Sequence, residues 1–467
     1  MSKIAIGLDP IMKQDVFGQM NTLTQPASVD AWDGVLLGFM AHAAVTPQHL
    51  GKVLELEPDF ALGHAVKGLF MVLLGRREMI AVAVDALAAA KTSMDRQPVT
   101  PREKLYVEAL ELYLSDLPSQ AVQKFEEILR AHPEDSLAMK LSHATRFVLG
   151  DAEGMRRSIE RVLPSYAPDH AGRGYLLGCH SFALEETGAY EKAEIAGRQA
   201  LWMVSDDAWG LHAVAHVHEM TGNAQLGLEW LAGREDAWSH CNNFRYHVWW
   251  HKALMHLDLG QVDQVMALYD DHIRKDKTDD YRDISNATSL LSRLELEGVN
   301  VGDRWEELAD LSANRTEDGC LIFADLHYLL ALTGDNRADA TGQILKRIQK
   351  DAQRNQGDTP MRMSDPGVAA AKGLEAFGDG LYGAAFDFLS TARDGMQLAG
   401  GSHAQRDVFE RITIDSGLRA GRLDAVERIL DDRRAKRAGG EDNYALARRA
   451  LIDAARDNGD AQSVPAE

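Results

Sequence analysis

Histidine and tryptophan side chains are concentrated in one stretch of the chain. Nine of the 17 histidines fall within 87 residues, namely His170, His180, His212, His216, His218, His240, His247, His251 and His256. Six of the eight tryptophans fall in the same stretch, namely Trp202, Trp209, Trp230, Trp238, Trp249 and Trp250. Imidazole rings bind metal ions and transfer protons near neutral pH, and indole rings pack against apolar ligands. The stretch is therefore the first candidate for a binding or catalytic site.

Two HxxxH spacings occur in this stretch, His212 with His216 and His247 with His251. Residues four apart on a helix share a face, so both imidazoles of a pair can ligate one metal ion. A carboxylate such as Glu219 would complete the set, which makes His212, His216 and Glu219 a candidate site for a divalent metal. The spacing is weakly specific, and the HExxH motif, which carries its own general base, is absent. The alternative is a set of histidines hydrogen-bonded inside a polar groove.

The elements that position these side chains are helical repeats. Proline–acid pairs that begin helical stretches recur at regular sequence separations. Pro58-Asp59, Pro133-Glu134 and Pro168-Asp169 are separated by 75 and 35 residues. A period near 34, or twice that, is typical of tetratricopeptide repeats, in which two antiparallel helices pack tightly and stack on the next pair. Ala121 and Phe125 match the small and aromatic positions of the second helix.

Glycines after apolar helical patterns mark the turns, namely Gly150, Gly188, Gly222, Gly260, Gly334, Gly378 and Gly421. Such glycines are expected to supply the left-handed conformation that ends a helix. No strand-like alternation competes with the helical pattern. The sequence therefore predicts an all-α solenoid of tetratricopeptide-type helix pairs, curved as a right-handed superhelix that is either open or closed.

The helical pattern extends over nearly the whole chain. We expect one solenoid over residues 1–451, with N-terminal repeats at 1–100, central repeats at 101–350 and C-terminal repeats at 368–451. Residues 270–282 and 351–367 are expected to be irregular connections, because the first is dense in charge and the second carries Gly357, Pro360 and Pro366. Residues 452–467 are predicted to form a frayed tail.

Aligning the repeats on Gly188, Gly222 and Gly260 predicts which side chains face the concave groove. The predicted groove wall consists of Tyr175, Phe182, Glu185, Trp209, His212, His216, Glu219, His247 and Trp250. This alignment leaves His251 to the side of the groove. A wall of imidazoles, indoles and carboxylates suits a ligand held by stacking and a few hydrogen bonds. Arg406, in a later helix, is a further candidate that would clamp an anion, unless an acid of a neighbouring repeat pairs with it.

Charge and cysteine content exclude several classes of function. The 71 acidic residues outnumber the 50 basic ones, and a net charge of −21 disfavours nucleic-acid and membrane partners. Cys179, Cys241 and Cys320 are far apart and lack a CxxC spacing, which argues against disulfides and thiolate zinc sites. The start has no signal-peptide pattern and no apolar run is long enough to cross a membrane, so a cytoplasmic location is expected.

Five sequence runs together resemble the tetratricopeptide repeat protein 38 family. They are LEETGAYEKAE at 184–194, HAVAHVHEMTG at 212–222, YHVWWHKAL at 246–254, DLHYLLAL at 325–332 and GGSHAQRDVF at 400–409. The resemblance covers roughly residues 30–440, with one departure at Ala324, where the family pattern has Asn. It implies a closed, curved repeat superhelix whose biochemical role is largely unassigned.

Three hypotheses for function follow from these observations. The first is a binding module whose groove wall captures a peptide segment or a small ligand. The second is an enzyme with a site in the same groove, in which a histidine acts as general base and Arg406 holds an anion, with metal-assisted hydrolysis or elimination as the chemistry. The third is a structural scaffold whose histidines are core polar groups. A buried pocket favours the second, an open groove the first and the absence of any cavity the third.

Overall fold

The computed structural model describes residues 12–463, with side chains described through Asp457. It is 74% helical, and the strand pairing within the described residues is limited to the antiparallel pair β1 (Lys13–Gln14) and β2 (Met20–Asn21) and one isolated bridge between Ala43 and Cys241. The predicted all-α class is confirmed. In the described part of the chain, no helix has both the length and the apolar character needed to cross a bilayer.

Twelve helices lie within residues 12–231 of the described structure. They are α1 (Pro26–Met40), α2 (Thr46–Leu56), α3 (Ala61–Leu73), α4 (Arg77–Arg96), α5 (Pro101–Leu114), α6 (Pro118–Ala131), α7 (Ser136–Leu149), α8 (Ala152–Val162), α9 (Arg173–Glu186), α10 (Tyr190–Met203), α11 (Ala208–Met220) and α12 (Ala224–Leu231). Helix α6 shows why they form, since it buries Ala121, Phe125, Ile128 and Leu129 along one face.

Thirteen helices lie within the described residues 232–463. They are α13 (Asp236–Ser239), α14 (Phe244–Asp258), α15 (Val262–Leu268), α16 (Tyr281–Leu296), α17 (Arg304–Ala313), α18 (Ile322–Gly334), α19 (Ala338–Asp351), α20 (Asp358–Arg362), α21 (Val368–Gly378), α22 (Tyr382–Arg393), α23 (His403–Arg419), α24 (Leu423–Lys436) and α25 (Asn443–Ser463). Short 3-10 or π-helical turns lie at Leu163–Ser165, Tyr269–Ile273, Met363–Gly367 and Met396–Ala399.

Consecutive helices pack as pairs, such as α9 on α10 and α21 on α22. Five of the predicted turn glycines have the left-handed conformation, with φ of 71° at Gly150, 78° at Gly188, 73° at Gly222, 68° at Gly260 and 71° at Gly421. Each supplies, without a side-chain penalty, the conformation that closes the helix before it.

The prediction of a left-handed turn at Gly334 and Gly378 is wrong. Both glycines are the last residues of their helices, and the left-handed residues lie two positions later, at Asn336 with φ of 55° and Gly380 with φ of 73°. Close packing explains Gly334, because a Cβ there would lie 2.6 Å from the Trp305 indole ring. This glycine is therefore required by helix packing instead of by the turn.

Two stretches are more ordered than the sequence indicates. The predicted irregular segment 351–367 contains α20, which is followed by a kink at Asp365 with φ of −139° and ψ of 117°, and the predicted tail from residue 452 continues α25 as far as Ser463. Ile452 is buried at 1% exposure and packs with Tyr444 and Ile429, and alanines favour the helix around it. The last four residues of the predicted tail, 464–467, lie outside the described residues.

The solenoid closes on itself, because its last third contacts its first third. Arg77 Nη1 donates to the carbonyl oxygen of Glu317 at 2.6 Å, and Gln397 Nε2 donates to that of Gly150 at 2.8 Å. The Tyr190 hydroxyl donates to the Lys436 carbonyl at 2.6 Å. C-terminal helices thereby cover the concave side of the central repeats.

Candidate functional site

Side chains from all round the closed solenoid line one cavity of about 370 Å³, here called the central cavity. The lining comes from α1, α2, α3, α7, α9, α11, α14, α16, α18 and the loop before α23. Its aromatic members are Phe39, Phe70, Phe147, Phe182, Trp209, Phe244, Tyr281 and Phe323. Helices distant in sequence thus build one apolar chamber, with polar groups at a few points.

Among the residues that the structure describes, the lining of the central cavity contains no carboxylate, although the chain has a net charge of −21. Its two cations are Lys140 and Arg282. Arg282 is held by Asp280, whose carboxylate accepts from its Nε at 2.8 Å and its Nη2 at 2.6 Å. Lys140 has no ion-pair partner within 4.0 Å in the described structure, and its Nζ lies 4.9 Å from the centre of the Trp209 ring. Lys140 is therefore the cation available to a ligand.

Four histidines from two neighbouring helices meet at one wall of this cavity. His212 and His216 of α11 face His247 and His251 of α14, and one nitrogen of each ring lies within 4.8 Å of one nitrogen of every other ring. Ring centres are 4.2 Å apart for His216 and His251 and 5.1 Å apart for His212 and His247. We call these four residues the histidine cluster; His212 and His247 also line the central cavity.

Three rings of the histidine cluster have a hydrogen-bond acceptor at Nδ1. His212 Nδ1 lies 3.2 Å from the Trp209 carbonyl oxygen, and His247 Nδ1 lies 3.0 Å from Asn286 Oδ1. His251 Nδ1 lies 2.9 Å from Glu219 Oε2. These partners orient the rings so that His247 Nε2 and His251 Nε2 approach to 3.1 Å.

His216 is fully buried at the centre of the cluster. Its Nδ1 lies 3.5 Å from Glu185 Oε2, which is itself fully buried, and neither ring nitrogen has a hydrogen-bond partner within the described structure. The neighbouring carboxylate, Glu186, is occupied on the other side by α23, where the His403 backbone N–H donates to it at 2.8 Å. Glu185 and Glu219 therefore flank the cluster as its two carboxylates.

The environment favours neutral imidazoles in the histidine cluster. Burial lowers the pKa of all four rings, to about 3 for His247, and neighbouring imidazoles lower those of His212 and His251 further. Burial also raises the pKa of Glu219 to about 7 and holds that of Glu185 well above its usual value. Neutral imidazole is the form that ligates metals and accepts protons.

The structure brings together Trp209, His212, His216 and His247 of the predicted groove wall and places Glu185, Glu219 and Trp250 around them. Trp250 is fully buried, with its ring stacked 5.2 Å from that of His247. Tyr175 lies apart, because its hydroxyl donates to Asp206 at 2.9 Å. Arg406 also lies apart, with Nη2 3.3 Å from Glu186 Oε2 and Nη1 donating to the Gly401 carbonyl.

The alignment misplaces His251 and misses Lys140. His251 lies in the cluster instead of beside the groove, because residues four apart share a helix face and α14 presents both of its histidines to α11. The predicted metal candidates were His212, His216 and Glu219. In the structure His247 and His251 complete the group with the first two, and Glu219 lies outside the group, where its carboxylate contacts His251. The HxxxH spacing of His247 and His251 was the signal for this arrangement.

The closed repeat and its lined cavity define an all-α protein built of packed helix pairs. No protein-family model matches the chain. The crystal structure of yeast Tom70 is similar over 93% of this chain and 89% of its own, with 14% identity and a TM-score of 0.36. A structure of Naa15/Naa10 bound to HypK is similar over 88% and 63%, with 12% identity and a TM-score of 0.25. The P58(IPK) TPR domain is similar over 74% and 88%, with 14% identity and a TM-score of 0.21.

Proposed function

We propose that this protein binds a small amphipathic molecule, with an apolar or aromatic body and an anionic group, in the central cavity. The observation that carries the proposal is the lining of that cavity, which is aromatic and cationic and has no carboxylate. Its volume of about 370 Å³ falls in the range of small-molecule sites.

The cavity favours a small molecule over a peptide segment. A peptide needs an open groove, whereas Glu185, His216 and Trp250 of the predicted wall are fully buried. Helix α23 and the segment before α25 lie over them, and Arg437 Nη2 donates to the Glu219 carbonyl oxygen at 2.6 Å. A peptide on this wall would have to displace the C-terminal helices.

Lys140 supports an anionic group on the ligand. Its ammonium group is buried at 3% exposure beside Trp209, so a charge of opposite sign would interact with it in a medium of low dielectric. Aromatic rings such as Phe147 and Phe244 would contact the apolar body.

Two fluorescent probes with nearly the same ring framework test the proposal. The anionic 1-anilinonaphthalene-8-sulfonate and the neutral N-phenyl-1-naphthylamine should both bind the purified full-length protein at one site per chain. Replacing Lys140 by Met should lower the affinity for the sulfonate probe about tenfold, which corresponds to one buried charge contact of about 1.4 kcal/mol. The affinity for the neutral probe should stay nearly unchanged.

A filled cavity supplies the second arm of the experiment. Ala144 lines the cavity and is half-buried, so Ala144→Phe should block both probes, whereas Ala88→Phe at an exposed position of α4 should bind them normally. If Ala144→Phe binds both probes as the wild type does, while melting at the same temperature, the cavity is not the ligand site.

An enzyme is the second candidate function, favoured by the neutral imidazoles of His212 and His247 at the cavity wall. Because burial lowers the pKa of both rings, each would act on a bound substrate as a neutral hydrogen-bonding group and not as a strong general base. Arg406 takes no part in this version, since Glu186 and two carbonyl groups occupy it. The test is turnover: a ligand identified by native mass spectrometry of the purified protein should be converted by the wild type and not by His212→Ala.

The finer assignments of family and compartment are also proposals. Three of the five runs that resemble the tetratricopeptide repeat protein 38 family, at 212–222, 246–254 and 400–409, contribute to the histidine cluster or the cavity lining. A cytoplasmic location is supported by Cys179, Cys241 and Cys320, which are free thiols, as in proteins of reducing compartments.

A further inference from the structure

We propose that the histidine cluster is a binding site for one divalent transition-metal ion, with His212, His216, His247 and His251 as the ligands. The ion belongs to the class that prefers imidazole nitrogen, for which Zn²⁺ is the reference. This inference goes beyond ligand binding in the central cavity and does not depend on it.

The donor set suits such an ion. Four imidazoles from two HxxxH pairs surround one point, with one nitrogen of each ring within 4.8 Å of one nitrogen of each other ring. Zinc–imidazole bonds of about 2.0–2.1 Å in a tetrahedron put the nitrogens about 3.3 Å apart. The His247 and His251 Nε2 atoms already approach to 3.1 Å, and the other nitrogen pairs, which lie within 4.8 Å, would have to close by at most about 1.5 Å (4.8 minus 3.3).

The hydrogen bonds outside the cluster assign the protons. Oxygen atoms of Trp209 and Asn286 accept from Nδ1 of His212 and His247, which leaves the Nε2 atoms of both rings with lone pairs. Glu219 Oε2, 2.9 Å from Nδ1 of His251, orients that ring in the same way. The Nε2 atoms of His247 and His251 meet at 3.1 Å, a distance that suits two ligands of one metal ion as well as a shared hydrogen. Acceptors at Nδ1 are what metal-ligating histidines characteristically have.

His216 provides an independent observation. A buried polar group without a hydrogen bond costs about 1–3 kcal/mol, and both nitrogens of this fully buried ring lack one within the described structure. Coordination of one nitrogen satisfies this ring, and Glu185, 3.5 Å from Nδ1, is placed to accept from the other side. The flanking carboxylates also offset the charge that the ion brings into the interior.

The test uses untagged full-length protein, stripped with a chelator and titrated with Zn²⁺ or Co²⁺ alone. We expect one Zn²⁺ per chain and, for Co²⁺, the intense visible absorption of a tetrahedral site. His216→Ala and His251→Ala should each weaken Zn²⁺ binding at least a hundredfold. His218→Ala is the matched control, because His218 lies on α11 outside the cluster. The Zn²⁺ affinity of this variant should equal that of the wild type.

A further variant keeps the test valid if the alanine variants fail to fold. Glu219→Gln preserves the shape of the side chain but weakens the partner that orients His251, so it should lower Zn²⁺ affinity about 10-fold to 100-fold. Thermal melting of each variant without metal monitors folding.

Two results would overturn the metal site. One is wild-type protein that binds less than a fifth of an equivalent of Zn²⁺; the other is Zn²⁺ binding that His216→Ala, His251→Ala and Glu219→Gln all leave unchanged. The Ala144→Phe variant separates this proposal from the proposed function, since it should retain Zn²⁺ while losing the fluorescent probes.

Discussion

Asp207 is a buried carboxyl group beside the central cavity, immediately before α11. It is 1% exposed, and burial raises its pKa to about 7 while the charge of Lys140 lowers it in part. Because the folded-state pKa lies above the unfolded value of about 3.9, folding favours the protonated form. The stability that this preference contributes is complete below about pH 4 and is lost as the pH rises through about 7.

Asp207→Asn should remove this loss, since the amide keeps the shape of the carboxyl group and cannot ionise. From pH 5 to pH 8, the free energy of unfolding of the variant should increase relative to that of the wild type by on the order of 2 kcal/mol. Urea denaturation at the two pH values measures the difference. An equal difference at both values would mean that Asp207 is ionised in the folded protein.

At the scale of single residues, the spacing from the turn glycines predicts cavity-lining residues beyond the three repeats to which it was applied. Counting back from Gly150 with the spacing used for Gly222 reaches Leu137, Lys140, Ala144 and Phe147, of which the last three line the cavity. The spacing predicts the lining only in part, because on the other three repeats Phe182, Trp209, His212 and His247 line the cavity and the remaining five residues of the predicted wall do not. The pairing of Arg406 with Glu186 was not predictable, because α23 meets α9 across 220 residues of sequence.

Helices α9 and α10 closely approach α11, which carries two residues of the histidine cluster. A Cβ on Gly197 of α10 would lie 2.5 Å from Val214 Cγ2, 2.7 Å from Ser181 Oγ and 2.9 Å from the Gly210 carbonyl oxygen. Helices α9, α10 and α11 therefore meet at a point where only glycine fits.

Gly197→Ala should destabilise the protein by about 1–3 kcal/mol through overpacking, although alanine is the better helix former by about 1 kcal/mol. Gly342→Ala is the matched control, because no neighbouring atom lies within 4 Å of a Cβ there, and it should stabilise by about 0.5–1 kcal/mol. Denaturant unfolding of both variants gives the comparison. A stabilised Gly197→Ala would contradict the close approach.

At the scale of the whole molecule, closure converts a concave groove into an internal cavity. Arg315, 6% exposed, is part of the seam: its Nη1 lies 3.0 Å from Glu78 of α4 and its Nε lies 3.0 Å from Asp279. Repeat spacing predicts contacts between neighbouring helix pairs. It does not predict a contact between residues 237 positions apart in sequence, such as Arg315 and Glu78. The fold class was thus predictable from sequence, whereas the seam that closes it was not.

Arg315→Ala should loosen the seam locally. We expect faster amide exchange in α4, about 200 residues away in sequence, with a loss of about 1 kcal/mol because Glu78 and Asp279 remain partly exposed to water. Arg304→Ala is the control, since Arg304 pairs with Asp270 of an adjacent segment at 2.6 Å and should leave exchange in α4 unchanged. Equal exchange in α4 in both variants would argue against a closed solenoid.

A crystal structure of the full-length protein with bound 1-anilinonaphthalene-8-sulfonate would show directly whether the central cavity binds the probe. We expect the aromatic rings of the probe in the central cavity, between Phe147 and Phe244, with the sulfonate group within reach of Lys140 Nζ. A probe found only on the outer surface, with the side chains of α7 and α16 closing the space between them, would contradict this expectation.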